Sequence, residues 1–212
     1  ISTKNSDYPE GGIESSATSG LSNSLNLGIL GGLDEVKRDY ESVLQALIQL
    51  PEHTRDAMTI RFLGNSSGPK AEEIIGHFEK LVTVDFTPGY LPTADALAKT
   101  KDNHILLVPL RSGSNIGTQL ASGATGDALE AGLQVLAPRH FDPFGEFSEL
   151  VVPYDDSMHL SMLLASYAQV GEVNRIPERV LRQYATSVHQ RAIMALMSDR
   201  VNFQPEPEHQ DQ

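Results

Sequence analysis

Arg111 follows an almost wholly apolar run, Ile105 to Leu110, and opens a loop of Ser, Gly and Thr that reaches Asp127. A guanidinium presents a rigid fork of donors that matches phosphate oxygens. Gly113, Gly117, Gly123 and Gly126 let a ligand approach the backbone closely, and Thr118, Ser122 and Thr125 add hydroxyls. Backbone N–H groups of such a loop, running into a helix N-terminus, make a cradle for an anion. Asp127 has two readings, as the cap of a short helix or as a carboxylate that accepts from two vicinal ribose hydroxyls. A second cluster lies earlier, where Gly31 and Gly32 are followed by Lys37 and Arg38. The glycines make a tight turn or bring backbone to a ligand. The two cations, read as the first turn of a helix, oppose its dipole and lie near the same presumed edge.

Other chemistries lack their residues. Gly31-Gly32 is not Gly-x-Gly-x-x-Gly, and no Gly-Lys-Ser/Thr occurs. Ser112, Ser114 and Ser122 do not sit in a Gly-x-Ser-x-Gly elbow. The seven histidines form no His-x-x-x-His pair, and there is no cysteine. Neither a metal nor any other cofactor is expected. Asp85-Phe-Thr-Pro-Gly is like the phosphorylated turn of response-regulator receivers, but Gly31-Gly32-Leu33 and Pro138-Arg139 stand where that turn's acidic pair and lysine belong.

The elements that must position these groups alternate. Leu25 to Leu30 reads as a first strand, and Asp34 as the N-cap of a helix carrying Val36, Tyr40, Val43, Leu44, Leu47 and Leu50, ended by Pro51. Met58 to Gly64 is a second strand, Pro69 starts a helix with Ala71, Ile74, Ile75 and Phe78 inward, and Leu81 to Phe86 is a third strand. A helix spans Thr93 to Lys101. The fourth and fifth strands are Ile105 to Leu110 and Gln134 to Ala137, separated by a helix from Asp127 to Ala131 with Gly132 as its stop. A sixth strand lies at Leu150 to Pro153, Ser157 caps a further helix, and Pro177 begins a long last one. This pattern predicts an α/β fold, a doubly wound parallel sheet with C-terminal helices. Ligands in such sheets bind at the carboxyl ends of the strands.

The 212 residues suffice for one well-buried domain, read here as residues 25–200 between a Ser/Gly-rich tail or linker, 1–24, and a polar tail, 201–212. Apolar residues make up 40% and charged residues 21%, and the formal net charge is −12, which argues against nucleic acid as a partner. No apolar run is long enough for a transmembrane segment. A cytoplasmic protein is expected, and a first residue of Ile points to a processed product or a cut fragment.

In this order the pieces resemble the C-terminal, donor-binding domain of GT-B glycosyltransferases. The resemblance is to the group 1, family 4-like enzymes that include sucrose synthases and bacterial polysaccharide glycosyltransferases. Leu27-Gly-Ile-Leu-Gly-Gly-Leu-Asp-Glu-Val-Lys-Arg looks like that family's first strand, glycine turn and basic helix start. Asp127-Ala-Leu-Glu-Ala-Gly-Leu-Gln-Val-Leu-Ala looks like its Glu-Ala-Leu-Ala-x-Gly-x-Pro-Val-Ile segment, and Glu149-Leu-Val-Val-Pro-Tyr-Asp-Asp like its Gly-Leu-Leu-Val-x-Pro-x-Asp. The resemblance covers roughly Leu25 to Tyr167. It implies a single Rossmann-like GT-B half and a nucleotide-diphosphate sugar at the strand edge. Gly31, Gly32 and Arg38 would face the diphosphate, Tyr90 the base, and Asp127 would stand where the family's ribose-binding Glu stands. The substrate-binding set is thus Gly31, Gly32, Arg38, Tyr90, Arg111, Gly113, Ser122, Gly123, Thr125 and Asp127, with no catalytic residue assigned.

The resemblance also implies a partner, the N-terminal GT-B domain, without which the chain is expected to be inactive. Gln119 occupies the place of the family's first acid, the lysine between the two acids is absent, and Gln134 replaces a common Pro. Those departures motivate a second reading, a non-catalytic Rossmann-like interaction or regulatory module.

Overall fold

In the computed structural model of the chain, residues 24–64, 68–89, 93–113, 123–142, 145, 147–171 and 175–184 are described. Tyr90, Ser122, the tail through residue 23 and everything beyond residue 184 lie outside the described residues.

Six strands, β1 (Leu25–Ile29), β2 (Met58–Phe62), β3 (Thr83–Phe86), β4 (Ile105–Leu107), β5 (Val135–Pro138) and β6 (Val151–Tyr154), form one sheet in the order β3-β2-β1-β4-β5-β6. All five pairings are parallel. The connecting helices are α1 (Tyr40–Gln49), α2 (Glu52–Asp56), α3 (Pro69–Glu79), α4 (Thr93–Lys101), α5 (Gly123–Ala131) and α6 (Ser157–Val170), and residues 178–184 are helical as well. The doubly wound parallel sheet with C-terminal helices expected from the sequence is what the chain forms.

Period-two alternation within the apolar runs gives the sheet two buried faces. Leu27, Ile29, Ile105 and Leu107 point into one core with Val43 and Leu47 of α1, Ile74 and Phe78 of α3, and Leu160 and Leu164 of α6. Leu106, Val108, Val135 and Ala137 point into the other, with Ala128 and Ala131 of α5, Phe141, Phe147, Val180 and Tyr184. Tyr40, Phe62, Phe78 and Phe86 stack edge-on or tilted, with ring centroids 5.2–6.4 Å apart, and tie α1 and α3 to β2 and β3.

Three helix starts depart from expectation. Asp39, not Asp34, caps α1, its Oδ1 accepting from the Ser42 backbone N at 3.2 Å. Asp34 instead folds back on its own loop, where Oδ1 accepts from Val36 N at 3.0 Å and Lys37 N at 3.3 Å. The backbone of the next residues is claimed by the β4 exit: Arg38 bridges antiparallel to Leu110, and Asp39 N donates to Pro109 O at 2.8 Å. Val36 is consequently outside the helix and 79% exposed, and Lys37 and Arg38 precede the first turn rather than forming it. α5 begins at Gly123, so Asp127 lies in its second turn and does not cap it. Burial of Ala128 and Ala131 anchors that helix, and each turn added backwards gains a backbone bond for each residue fixed. Asp156 rather than Ser157 caps α6, accepting from His159 N at 2.8 Å.

Candidate functional site

The strand order reverses direction between β1 and β4, and the loops leaving these two strands diverge to opposite faces of the sheet. A crevice at the carboxyl ends of the strands follows from that topology. The two exits are nevertheless sewn together: Leu30 N donates to Leu107 O at 3.1 Å, and Arg111 N to Lys37 O at 2.9 Å. The Arg111 side chain adds Nε to Glu35 O at 3.1 Å and Nη2 to Arg38 O at 3.5 Å. Gly31, Gly32, Arg38 and Arg111 therefore share one edge, with Gly113 two residues beyond.

The glycines on this edge act through contact as well as conformation. Gly31 has φ +89°, where an L side chain is strained, and a Cβ there would collide with the Arg38 guanidinium. Gly64, at the exit of β2, presses on the same turn so closely that a Cβ would collide with the Gly31 carbonyl. At Gly113 and Gly126, two of the four loop glycines read from the sequence as letting a ligand approach the backbone, the space around a Cβ is open; Gly113 has a φ of +81° and Gly126 lies within α5.

Arg38 is half-buried, and its Nη1 is sealed from solvent with no hydrogen-bond partner among the described residues. Burial pushes its guanidinium below the ordinary value, with Tyr40, Asp34 and Tyr154 pulling the other way. Arginine stays charged under such a shift, so a cation lies directly over the Gly31 backbone. Tyr40, whose phenol is pushed up to about 12 by burial, donates its hydroxyl to Gly32 O at 3.3 Å. Arg38 and Arg111 also line a cavity of about 340 Å³ with Glu35, Tyr40, Ile74 and His77, between α1 and α3.

A second cavity, about 630 Å³, opens over the ends of β4, β5 and β6 and reaches the N-termini of α1 and α6. Asp39, Ser42, Leu110, Ser112, Arg139, His140, Tyr154, Asp155 and Asp156 line it. Arg139 donates to Asp155 in bidentate fashion, Nε to Oδ1 at 2.5 Å and Nη2 to Oδ2 at 3.0 Å, and His159 Nδ1 lies 3.1 Å from Oδ2. The hydrogen bond from Arg139 is the largest influence holding the Asp155 carboxyl at about 2, assisted by His159.

Asp127 lies in the second turn of α5, its carboxyl pushed up by partial burial and by Glu130. Gly123 and Thr125 belong to the first turn of the same helix. Gly64 and Arg139 lie at strand ends, where the sequence places a ligand edge, but the contact of Gly64 with the Gly31 turn and the Arg139–Asp155–His159 cluster were not foreseen, and Asp39 and Tyr154 were not singled out. Tyr154 carried no signal, because a tyrosine ending an apolar strand reads as core. Among the described residues no three His, Asp or Glu side chains are grouped to hold a metal, and no helix is long and apolar enough to cross a membrane.

No family model and no curated protein sequence matches the chain. Its fold is similar to that of solved glycosyltransferases. With a trehalose-6-phosphate synthase, OtsA, the TM-score is 0.53 at 13% identity, covering 87% of this chain and 45% of that one. With an α,α-trehalose-phosphate synthase (UDP-forming) from Burkholderia vietnamiensis it is 0.50 at 13% identity, covering 84% and 46%. The C-terminal domain of a group 1 glycosyl transferase, LpcC, from Francisella tularensis overlaps over 74% of this chain and 78% of its own length, with a TM-score of 0.48 at 15% identity. The chain spans under half the length of the two synthases. At such identities the likeness is one of fold, and the chain has the fold of the Rossmann-like half of GT-B glycosyltransferases.

Proposed function

We propose that this chain is the donor-binding half of a glycosyltransferase that moves a sugar from a nucleotide-diphosphate sugar to a hydroxyl acceptor, working with an N-terminal GT-B domain. The observation that carries the reading is the edge at the β1/β4 switch, where the Gly31-Gly32 backbone, Arg38 and Arg111 converge. Peptide N–H groups beside fixed guanidinium groups suit a diphosphate, whose negative charge grows as the sugar departs. Holding the donor in one geometry supplies the rest of such a reaction's acceleration. Asp127, Tyr90, Gly113, Ser122, Gly123 and Thr125 complete the proposed donor site, with Asp127 on the ribose. The family resemblance supports a cytoplasmic setting and polysaccharide synthesis as the wider role.

The experiment is calorimetry and a thermal-shift panel with UDP, GDP and ADP. A ligand at about one hundred times its dissociation constant stabilises the folded chain by roughly 2.7 kcal/mol, which moves the midpoint by several degrees. One of the three is expected to do so, and Arg111→Ala and Asp127→Ala are each expected to weaken its binding. No stabilisation at millimolar concentration overturns the reading. One observation favours a non-catalytic interaction or regulatory module in that event: the Arg38 guanidinium already covers Gly31, where the diphosphate would approach.

A further inference from the structure

The main chain of Arg38 is fixed from several sides. Its N–H donates to Asp34 O at 2.8 Å, it bridges antiparallel to Leu110, and its carbonyl accepts from Arg111 Nη2 at 3.5 Å. Its side chain has no such ties. The guanidinium packs on Gly31, in the volume that a Cβ would fill, and Nη1 is sealed there with no hydrogen-bond partner among the described residues. Buried polar groups are paired in native proteins, and a guanidinium without an acceptor keeps the cost of its lost hydration.

The acceptors around it are committed elsewhere. Asp34 takes Val36 N, Lys37 N and, at 3.3 Å, Lys37 Nζ. Asp39 takes the Ser42 backbone N and, at 2.7 Å, the Ser42 hydroxyl. The Gly32 carbonyl takes the Tyr40 hydroxyl. Tyr154 is buried and within electrostatic reach, and it brings a hydroxyl rather than a carboxylate. Glu35 and Glu41 share the 340 Å³ cavity with Arg38, and among the described residues neither forms an ion pair with it. Packing rather than pairing therefore holds the guanidinium at Gly31, and the cavity gives its flexible arm room to turn. An anion at the turn reverses the balance. Its oxygens supply the missing acceptors, and charge-assisted hydrogen bonds replace the contact with Gly31. We propose that the Arg38 guanidinium is a displaceable cover of the Gly31-Gly32 turn, packed on Gly31 in the free chain and drawn off it by a phosphate-class anion. The proposal rests on the nucleotide reading only in expecting an anion at this turn.

The test is NMR of the full, isotope-labelled chain with inorganic pyrophosphate as the probe. In the free chain a nuclear Overhauser peak is expected between the Arg38 side chain and the Gly31 α protons, and saturating pyrophosphate is expected to abolish it. A peak missing from the free chain, a peak that persists at saturation, or no pyrophosphate binding at millimolar concentration overturns the proposal. A second measurement reads the free chain alone. Arg38→Met keeps an unbranched arm and removes the unpaired cation, while Lys37→Met makes the same change in net charge at an exposed side chain. The thermal midpoint of Arg38→Met is expected above that of Lys37→Met, because only the former removes a sealed donor without an acceptor. A midpoint below it means that the guanidinium is paired where it lies, and overturns the cover. Loss of the peak with pyrophosphate but no response to UDP, GDP or ADP keeps the cover and removes the nucleotide reading. A nucleotide that binds while the peak persists keeps that reading and removes the cover.

Discussion

Gly64 meets the Gly31 turn backbone to backbone, so no flexible side-chain end is available to yield there. Gly64→Ala is therefore expected to cost about 1–3 kcal/mol, the usual range for overpacking, read from urea unfolding, and to weaken any ligand held by Gly31 and Gly32. Gly113→Ala is strained by its φ alone. His104 carries a different consequence. Its Nδ1 accepts the Asn26 backbone N–H at 2.8 Å, which requires a neutral ring nitrogen, and burial first, then Arg61, holds its pKa below the ordinary value. The native chain then binds fewer protons than the unfolded one between the folded value and about 6.5, so stability falls as the pH drops below about 6.5. Unfolding midpoints measured between pH 5 and 8 should show this slope, and His104→Gln should flatten it. At this scale Arg111 and Gly31 were legible because charge and glycine stand out beside apolar runs. Tyr154 and Gly64 were not, because packing partners distant in sequence give them their meaning.

Among the elements, α1 separates local from distant causes best. Its apolar spacing was readable, and Tyr40, Val43 and Leu47 are buried as expected. Its start was not, because two aspartates five residues apart both suit an N-cap and the choice is made by the β4 exit, which pins Arg38 and Asp39 in extended pairing. Asp39→Ala is expected to cost about 0.5–2 kcal/mol as a lost cap. Asp34→Ala, a change in a surface loop, should stay within about 0.5 kcal/mol. Equal effects in denaturant titrations would contradict the assignment of the cap. The same logic applies to α5. Glycines at its start argued for a loop, but the burial of Ala128 and Ala131 against β4 and β5 carries the helix back through Gly126 to Gly123. Asp127 is thereby moved one turn into the helix.

For the whole molecule, the excess of 28 acids over 16 bases makes self-repulsion a destabilising contribution. Raising the ionic strength from about 0.01 M to about 0.15 M shortens the screening length from roughly 30 Å to 8 Å, and the thermal midpoint should rise with it. A midpoint insensitive to that change would mean the charges are already balanced locally, as in the Arg61–Asp85–Lys99 cluster on β2, β3 and α4. By itself the sequence determined the alternation of strands and helices, the two-faced burial of the strands and hence the doubly wound sheet. Those features follow from hydrophobic period and chain connectivity, which are local or nearly so. The ends of its strands also named the edge at which a ligand is proposed. Only the tertiary structure decided which side chains meet there. Contacts such as Gly64 against the Gly31 turn, and Arg111 bound to Glu35 and Arg38, join segments from different strands. Their distances are set by how the sheet twists and packs, which residue spacing along one chain does not encode.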